Sequence, residues 1–324
     1  MSQHALVLTL LGESLPASLL DDVTALTERL GLHASAHRWL TDKAAERAPG
    51  RAACLAIELG GQALAEGRLD AEALREQALA LGRARGVDVA VQDADEWRGH
   101  RRLVCFDMDS TLIKTEVIDE LARRHGVGGE VAAVTERAMR GELDFQQSFR
   151  ARMAKLEGLD EAVLEDIAAN LPLMDGLETL MAGLKRHGYR TAILSGGFTY
   201  FARHLQKRFG FDEVHANELI IENGRVTGEV REPIVDAARK AWLLEDMAAR
   251  EGLSLSQTVA VGDGANDLEM LSRAGLGIAF RAKPVVREKA RQSITALGLD
   301  AVLYLMGHSR AAPAVEASAD TSAG

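Results

Sequence analysis

The sequence predicts an α/β fold: a parallel sheet with helices on both faces and an inserted helical cap, preceded by a smaller α+β unit. Two patterns carry that reading. After residue 100, four short apolar runs, Leu103–Phe106, Thr191–Leu194, Thr258–Val261 and Gly277–Phe280, alternate with stretches of helical periodicity, as buried parallel strands do. Before residue 95, strand and helix periods follow in the order βαββαβ.

In the leading part, Ala5–Leu11 is a short apolar strand. Leu19–Leu30 has helical periodicity after Ser14 and Pro16, and Gly31 stops it. Leu32–Leu40 alternates, with Leu32, Ala34 and Ala36 set against His33, Ser35 and His37, which is the period of a half-buried strand. A polar loop at Ala48, Pro49 and Gly50 leads into the strand Ala52–Leu59. Ala71–Arg85 is a second helix, and Val87–Val91 closes the set. Two strand–helix–strand units sharing one antiparallel sheet make the ferredoxin-like motif. The polar stretch Asp95–Arg101 marks a domain boundary between residues 1–95 and a second domain of 100–306. Within the second domain, roughly Glu116–Leu171 is mainly helical and has the size of a cap. Ile220–Val230 carries Asn223-Gly224 between alternating residues and reads as a hairpin. The segment 308–324 is rich in Ala and Ser, has no periodicity and is expected to be disordered.

Composition narrows the function classes. The 324 residues are 47% hydrophobic and 27% charged, with a net charge of −10 and no long basic stretch, so a nucleic-acid partner is set aside. The two cysteines, Cys54 and Cys105, sit in apolar runs and read as buried thiols in a reducing compartment. The first residues lack a basic leader, and their apolar run is too short to span a membrane, so no membrane partner and a cytoplasmic location are expected.

The chemistry concentrates at strand ends. In LVCFDMDSTL the strand Leu103–Phe106 runs into Asp107 and Asp109, two carboxylates at i and i+2, where open α/β sheets bind ligands. The plainer alternative is that Asp109 or Ser110 merely caps the next helix. In VAVGDGAND a second strand ends in Asp263 and Asp267, with Gly262 and Gly264 permitting close backbone approach. Asp107, Asp109 and Asp263 together would supply oxygen ligands suited to Mg²⁺. In ILSGGF a third strand ends in Ser195, Gly196 and Gly197, a hydroxyl and amides able to cradle a phosphate oxygen. Lys240, in AARKAWLL, begins a helix, and by periodicity alone it reads as a solvated charge.

Asp-x-Asp-x-Thr, a strand-end Ser, a Lys and Gly-Asp-Gly-x-x-Asp, in that order, resemble the four motifs of the haloacid dehalogenase superfamily. The stretches FDMDSTLIKTEVIDELA, GELDFQQSFRARM, ILSGGF and VAVGDGANDLEML are similar to the phosphoserine phosphatases within it, over roughly residues 100–305. The resemblance implies a Rossmann-like core with a helical cap and the hydrolysis of phosphoserine, the last step of serine biosynthesis. It implies that Asp107 is the nucleophile and that Asp109 is the proton donor and general base. Mg²⁺ would be held by Asp107, Asp263 and the backbone carbonyl of Asp109. Ser195, the Gly196 amide and Lys240 would steady the phosphoryl oxygens, and Asn266 and Asp267 would support them. Glu116 would meet the substrate ammonium and Arg152 its carboxylate, with Met139 and Phe145 as apolar neighbours. Helix-dipole complementarity for Glu116 and a solvated helix face for Arg152 are the alternatives that local sequence alone favours.

Residues 1–95 resemble, by topology, the ACT-like regulatory domains that precede some bacterial phosphoserine phosphatases. That likeness implies a homodimer and leaves open amino-acid sensing or a passive structural role. Two other functions share the catalytic residues, a phosphatase for another small phosphorylated metabolite and a phosphotransferase that passes the group to an alcohol; a non-enzymatic sensor with a dead catalytic domain is disfavoured because all four motifs are intact.

Overall fold

The computed structural model describes residues 6–41, 53–60, 71–94 and 100–309. The loop expected at 48–50, residues 95–99 of the boundary stretch and the tail from 310 lie outside the described residues. Two compact units result. One is Glu96–Val302; the other joins the residues up to Asp95 with those from Leu303 onward.

The first unit runs β1 (Leu6–Gly12), α1 (Ala17–Arg29), β2 (His33–Trp39), β3 (Ala53–Gly60), α2 (Ala71–Arg85) and β4 (Asp88–Asp93). Its sheet has the order β2-β3-β1-β4 with every neighbour antiparallel, the ferredoxin-like arrangement. Pro16 precedes the first turn of α1, and Gly31, at φ 70°, ends the helix in a left-handed turn. Leu8, Leu10, Leu19, Leu55, Leu74 and Ala78 pack the core between helices and sheet. One expectation fails here. The alternation in Leu32–Leu40 should turn Ala34 and Ala36 inward, yet both are exposed while the flanking Leu32 and Leu40 are buried. β2 is an edge strand whose register shifts between Ala34 and Ala36, and two methyl groups bring too little apolar area to hold that edge against the core. The chain from Leu303 belongs with this unit, where Gln92 Nε2 donates to the Leu305 carbonyl and Arg38 to that of Gly307.

The second unit begins with β5 (Leu103–Phe106). The cap follows as α3 (Val117–His125), α4 (Gly128–Met139), α5 (Phe145–Ala154) and α6 (Glu161–Ala169). Then come α7 (Leu177–Arg186), β6 (Arg190–Phe198), α8 (Thr199–Phe209), β7 (Glu213–Asn217) and the hairpin β8 (Leu219–Glu222) with β9 (Arg225–Val230). The remainder is α9 (Ala237–Arg250), β10 (Thr258–Gly262), α10 (Leu268–Arg273), β11 (Leu276–Phe280), α11 (Pro284–Lys289), β12 (Gln292–Ile294) and α12 (Ala301–Leu305), whose residues from Leu303 on belong to the first unit.

Six strands form a parallel sheet in the order β12-β11-β10-β5-β6-β7. The chain leaves β5 toward β6 on one side and later returns to β10 on the other. β5 is therefore where strand order reverses, and the crevice at its carboxyl end is the ligand position of such sheets. β5 and β10 are buried along their whole length, which is why they appear as unbroken apolar runs. The edge strands β7 and β12 escaped the sequence reading because EVHAN is only half-buried and QSI is three residues long. Asn223 and Gly224 take φ of 52° and 75°, the paired positive values that a two-residue hairpin turn requires. The hairpin also docks on the cap: the Gly158 N–H donates to the Val226 carbonyl at 2.8 Å, and the Val226 N–H to that of Leu159 at 2.9 Å. Cys54 and Cys105 are both buried and unpaired with each other. Among the described residues no helix is long and apolar enough to cross a membrane.

Candidate active site

Asp107 leaves β5 with its N–H donating to the Val261 carbonyl of β10 at 2.9 Å, so the two acid-tipped strands end side by side. The chain then folds back at once. Ser110 adopts φ 58°, and the N–H groups of Thr111, Leu112 and Ile113 all donate to the Met108 carbonyl. This tight turn buries Asp107 and Asp109 on one side of the strand end. The cap position of α3 is Glu116, and the Val117 N–H at the helix start only pulls the Asp109 carboxyl downward against its burial. Its Oδ1 is buried without a partner, so capping does not exhaust the group.

Lys240 departs most sharply from what its local sequence suggests. Asp236 caps α9 by accepting the Arg239 N–H at 2.9 Å, and one residue further on Lys240 is wholly buried. Its Nζ donates to Asp107 Oδ1 at 2.6 Å and to Asp267 Oδ1 at 2.7 Å. The other Asp267 oxygen accepts the Gly264 N–H at 2.9 Å. A Cβ at Gly262 would lie 2.5 Å from the Asp267 Cγ, so only glycine lets that carboxylate tuck beneath the strand end. On the facing strand Ser195 Oγ accepts the Gly197 N–H at 2.9 Å. A Cβ at Gly197 would stand 2.8 Å from Asp109 Oδ2, so the same demand for close approach recurs there.

The electrostatics follow from crowding acids in a dry crevice. Burial first, and then Asp267, pushes the Asp107 carboxyl up to about 8, with Lys240 pulling against both. Asp263 is pushed up to about 7 by burial, Asp267 and Glu116. Asp109 is raised well above the usual carboxylate range by burial, Glu116 and Asp107. Burial works against the Lys240 ammonium, but Asp107 and Asp267 outweigh it and hold the group charged. Carboxylate oxygens of Asp107, Asp263 and Asp267 come within 4.8 Å of one another. Hard oxygen donors and a surplus of negative charge suit a divalent cation. Asp267 ties both oxygens into hydrogen bonds, with Lys240 and with the Gly264 N–H, whereas Asp107 and Asp263 face the cavity.

These groups open into a cavity of about 370 Å³. Asp107, Asp109, Glu116, Met139, Phe145, Arg152, Ser195, Gly196, Gly197, Asp263 and Asn266 all line it, while Lys240 and Asp267 stand behind Asp107. Glu116 accepts Ser110 Oγ at 2.8 Å and makes no capping bond to α3. Arg152 is half-buried and its Nε has no partner, which leaves a guanidinium turned toward the cavity rather than along a solvated helix face. Met139 is 77% exposed and forms the rim.

Residues 101–275 match the haloacid dehalogenase-like hydrolase family. The chain belongs to that family. A phosphoserine phosphatase of Streptomyces coelicolor is 51% identical over 242 residues, covering 75% of this chain and 59% of the relative, so the chain spans less than two thirds of that protein. A solved structure of a probable phosphoserine phosphatase from Vibrio cholerae, in unliganded form, superposes with a TM-score of 0.72 at 34% identity, covering 94% of this chain and 87% of that one. A phospho-aspartyl intermediate analogue of a phosphoserine phosphatase gives a TM-score of 0.59 at 41% identity, covering 63% of this chain and 98% of that one.

The cavity of this haloacid dehalogenase-like hydrolase also holds residues the sequence reading passed over. Phe149 and Phe198 continue the wall that Phe145 begins, with ring centroids 6.1 Å apart for the first pair and 6.0 Å for Phe149 and Phe198. Phe145, Phe149 and Arg152 fall at i, i+4 and i+7, so helical spacing could have shown that they share a face. Lys283 lines the mouth from the loop after β11, where no periodicity marks it. Thr111 bonds Asp263 across the strand ends at 3.4 Å, a contact that only the tertiary fold creates.

Proposed function

We propose that the chain is a Mg²⁺-dependent phosphoserine phosphatase that hydrolyses O-phosphoserine to serine and phosphate through an aspartyl-phosphate on Asp107. One observation carries the reading. A single cavity holds Asp107, pinned by a buried ammonium, and a guanidinium whose Nε lacks any partner, so a phosphate site and a carboxylate site face the same space.

Lys240 occupies Asp107 Oδ1, which leaves Oδ2 to attack phosphorus as the bond to the serine oxygen breaks. Asp109, whose carboxyl is shifted toward the protonated form by burial, Glu116 and Asp107, gives a proton to the departing serine oxygen. It then takes a proton from the water that attacks the phosphoenzyme, and Asp107 is regenerated. Ser195, the Gly196 amide and Lys240 steady the charge on the phosphoryl oxygens, and losing one such donor costs about 3–4 kcal/mol of barrier. Mg²⁺, held by Asp107, Asp263 and the backbone carbonyl of Asp109, would offset repulsion between the nucleophile and the phosphoryl group. Asn266 borders the phosphate end and Asp267 keeps Lys240 in place. Arg152 and Glu116 read the substrate carboxylate and ammonium, while Phe145 and Phe149 exclude water around them and Met139 borders the rim.

The first unit is proposed as an ACT-like dimerisation module, which its ferredoxin-like strand order supports. Two buried thiols support a cytoplasmic setting. Light scattering on the full chain should return twice the chain mass, and a monomer would remove the dimer.

Phosphate release from phosphoserine, phosphothreonine and sugar phosphates, with Mg²⁺ and with EDTA, tests the function. Phosphoserine should be preferred and EDTA should stop turnover. Equal rates on all esters would sink the substrate assignment, and wild-type activity in Asp107→Asn would sink the nucleophile.

A further inference from the structure

β6 parts from its neighbour where the phosphate-holding turn begins. The β6–β7 register shifts between Leu194 and Phe198, so Ser195, Gly196 and Gly197 bulge out of the ladder. Backbone groups released from a ladder in a buried place need another partner. Asn217, the last residue of β7, provides one. It is buried, its Nδ2 donates to the Gly196 carbonyl at 2.8 Å, and its Oδ1 accepts the Val235 N–H at 2.8 Å. The carbonyl can only accept and the N–H can only donate, so the amide has one possible orientation.

Val235 directly precedes Asp236, the cap of the helix that carries Lys240. One side chain therefore joins the turn that bears Ser195 and Gly196 to the segment that sets the start of the lysine's helix. Asn217 itself does not line the cavity. Resting on the phosphatase reading, we infer that Asn217 is a positioning residue for phosphoryl transfer: it locks the glycine turn and the lysine helix into one rigid cradle for the phosphoryl oxygens. The amino-acid end of the substrate is held elsewhere, by Glu116 and Arg152, so the cradle can loosen without releasing that end.

Asn217→Leu keeps a similar volume but neither donates nor accepts. Turnover of phosphoserine should fall about 10- to 100-fold with KM within about threefold, because a displacement near 1 Å costs that much in rate while ground-state binding persists. Orthovanadate, which occupies the phosphoryl position, should bind in the presence of Mg²⁺ more weakly by the same factor as the fall in kcat/KM. If the leucine variant does not fold, Asn217→Ala is read with the same two measurements. A kcat within about twofold of wild type, or vanadate affinity unchanged in the folded variant, overturns the inference. Vanadate titration needs no phosphoserine turnover. Failure of the wild type to release phosphate from phosphoserine therefore removes the substrate assignment, while the vanadate comparison still decides the part of Asn217.

Discussion

At Lys240 a fully buried ammonium lies between two carboxylates, 2.6 Å from Asp107 and 2.7 Å from Asp267. Removing one member of such a buried group leaves a charge uncompensated, at a cost of about 3–5 kcal/mol. Nothing in AARKAWLL announces this, since helical periodicity places Lys240 on a turn that other folds expose. Arg152 is the opposite case: its type and spacing are readable, but that its buried Nε lacks a partner is visible only in the structure. Hydrogen bonds to a charged partner contribute about 1.5–3 kcal/mol, so Arg152→Ala should raise KM for phosphoserine about 10- to 100-fold. p-Nitrophenyl phosphate has no carboxylate for the guanidinium, and its KM should stay within about twofold on the same grounds. Parallel steady-state kinetics on the two esters check this, and equal losses on both would remove Arg152 from substrate recognition.

Among the elements, α5 connects sequence to the proposed substrate recognition most directly. Asp144 accepts the Gln147 N–H at 2.7 Å, and the Gln147 side chain accepts the Asp144 N–H at 3.1 Å, a full capping box. The helix so started presents Phe145, Phe149 and Arg152 to the cavity. Asp144→Ala should lower stability by about 1 kcal/mol, the usual worth of a cap. It should also raise KM for phosphoserine, because fraying at Phe145 loosens the wall beside Arg152. Denaturant melts and kinetics on that variant check both effects, and a lost cap with unchanged KM would separate the helix start from recognition. Central strands and long helices were legible because burial on both faces or on one stripe writes itself into the residue pattern. β7 and β12 were not, since edge strands are half-solvated and short, and the outward turn of Ala34 and Ala36 in β2 has the same origin.

For the whole molecule, the crowded acids couple stability to pH and to a divalent cation. Asp107 and Asp263 hold their protons to about 8 and about 7, against an ordinary value of 3.8. Across that window the folded chain binds protons that the unfolded chain has released, so stability falls as pH rises. It is greatest below the ordinary value and is lost as pH passes the raised ones. Glu120, Glu142, Asp175 and Glu213 have the opposite sign, but they are lowered from ordinary values of 4.5 or below, so above about pH 5 they are largely ionised in both states. In EDTA the Tm contribution of the site should therefore decline between about pH 5 and about pH 8. Mg²⁺ competes with those protons, so the Tm gain on adding it should grow over the same range. Melting curves at both ends, with and without Mg²⁺, check the sign, and a gain that shrinks with pH would contradict it.

Taken by itself, the chain's order of residues determined the two-part organisation, the central strands, the inserted cap and the four places where chemistry gathers. Each of these depends on local period or on short motifs, and hydrophobic burial imprints those directly on sequence. Only the tertiary structure decided that Lys240 is buried between Asp107 and Asp267, that the hairpin braces the cap, and that Asn217 ties the glycine turn to the lysine helix. Those relations join residues far apart in the chain. Their energies depend on distance and desolvation in the folded state, which no local pattern encodes.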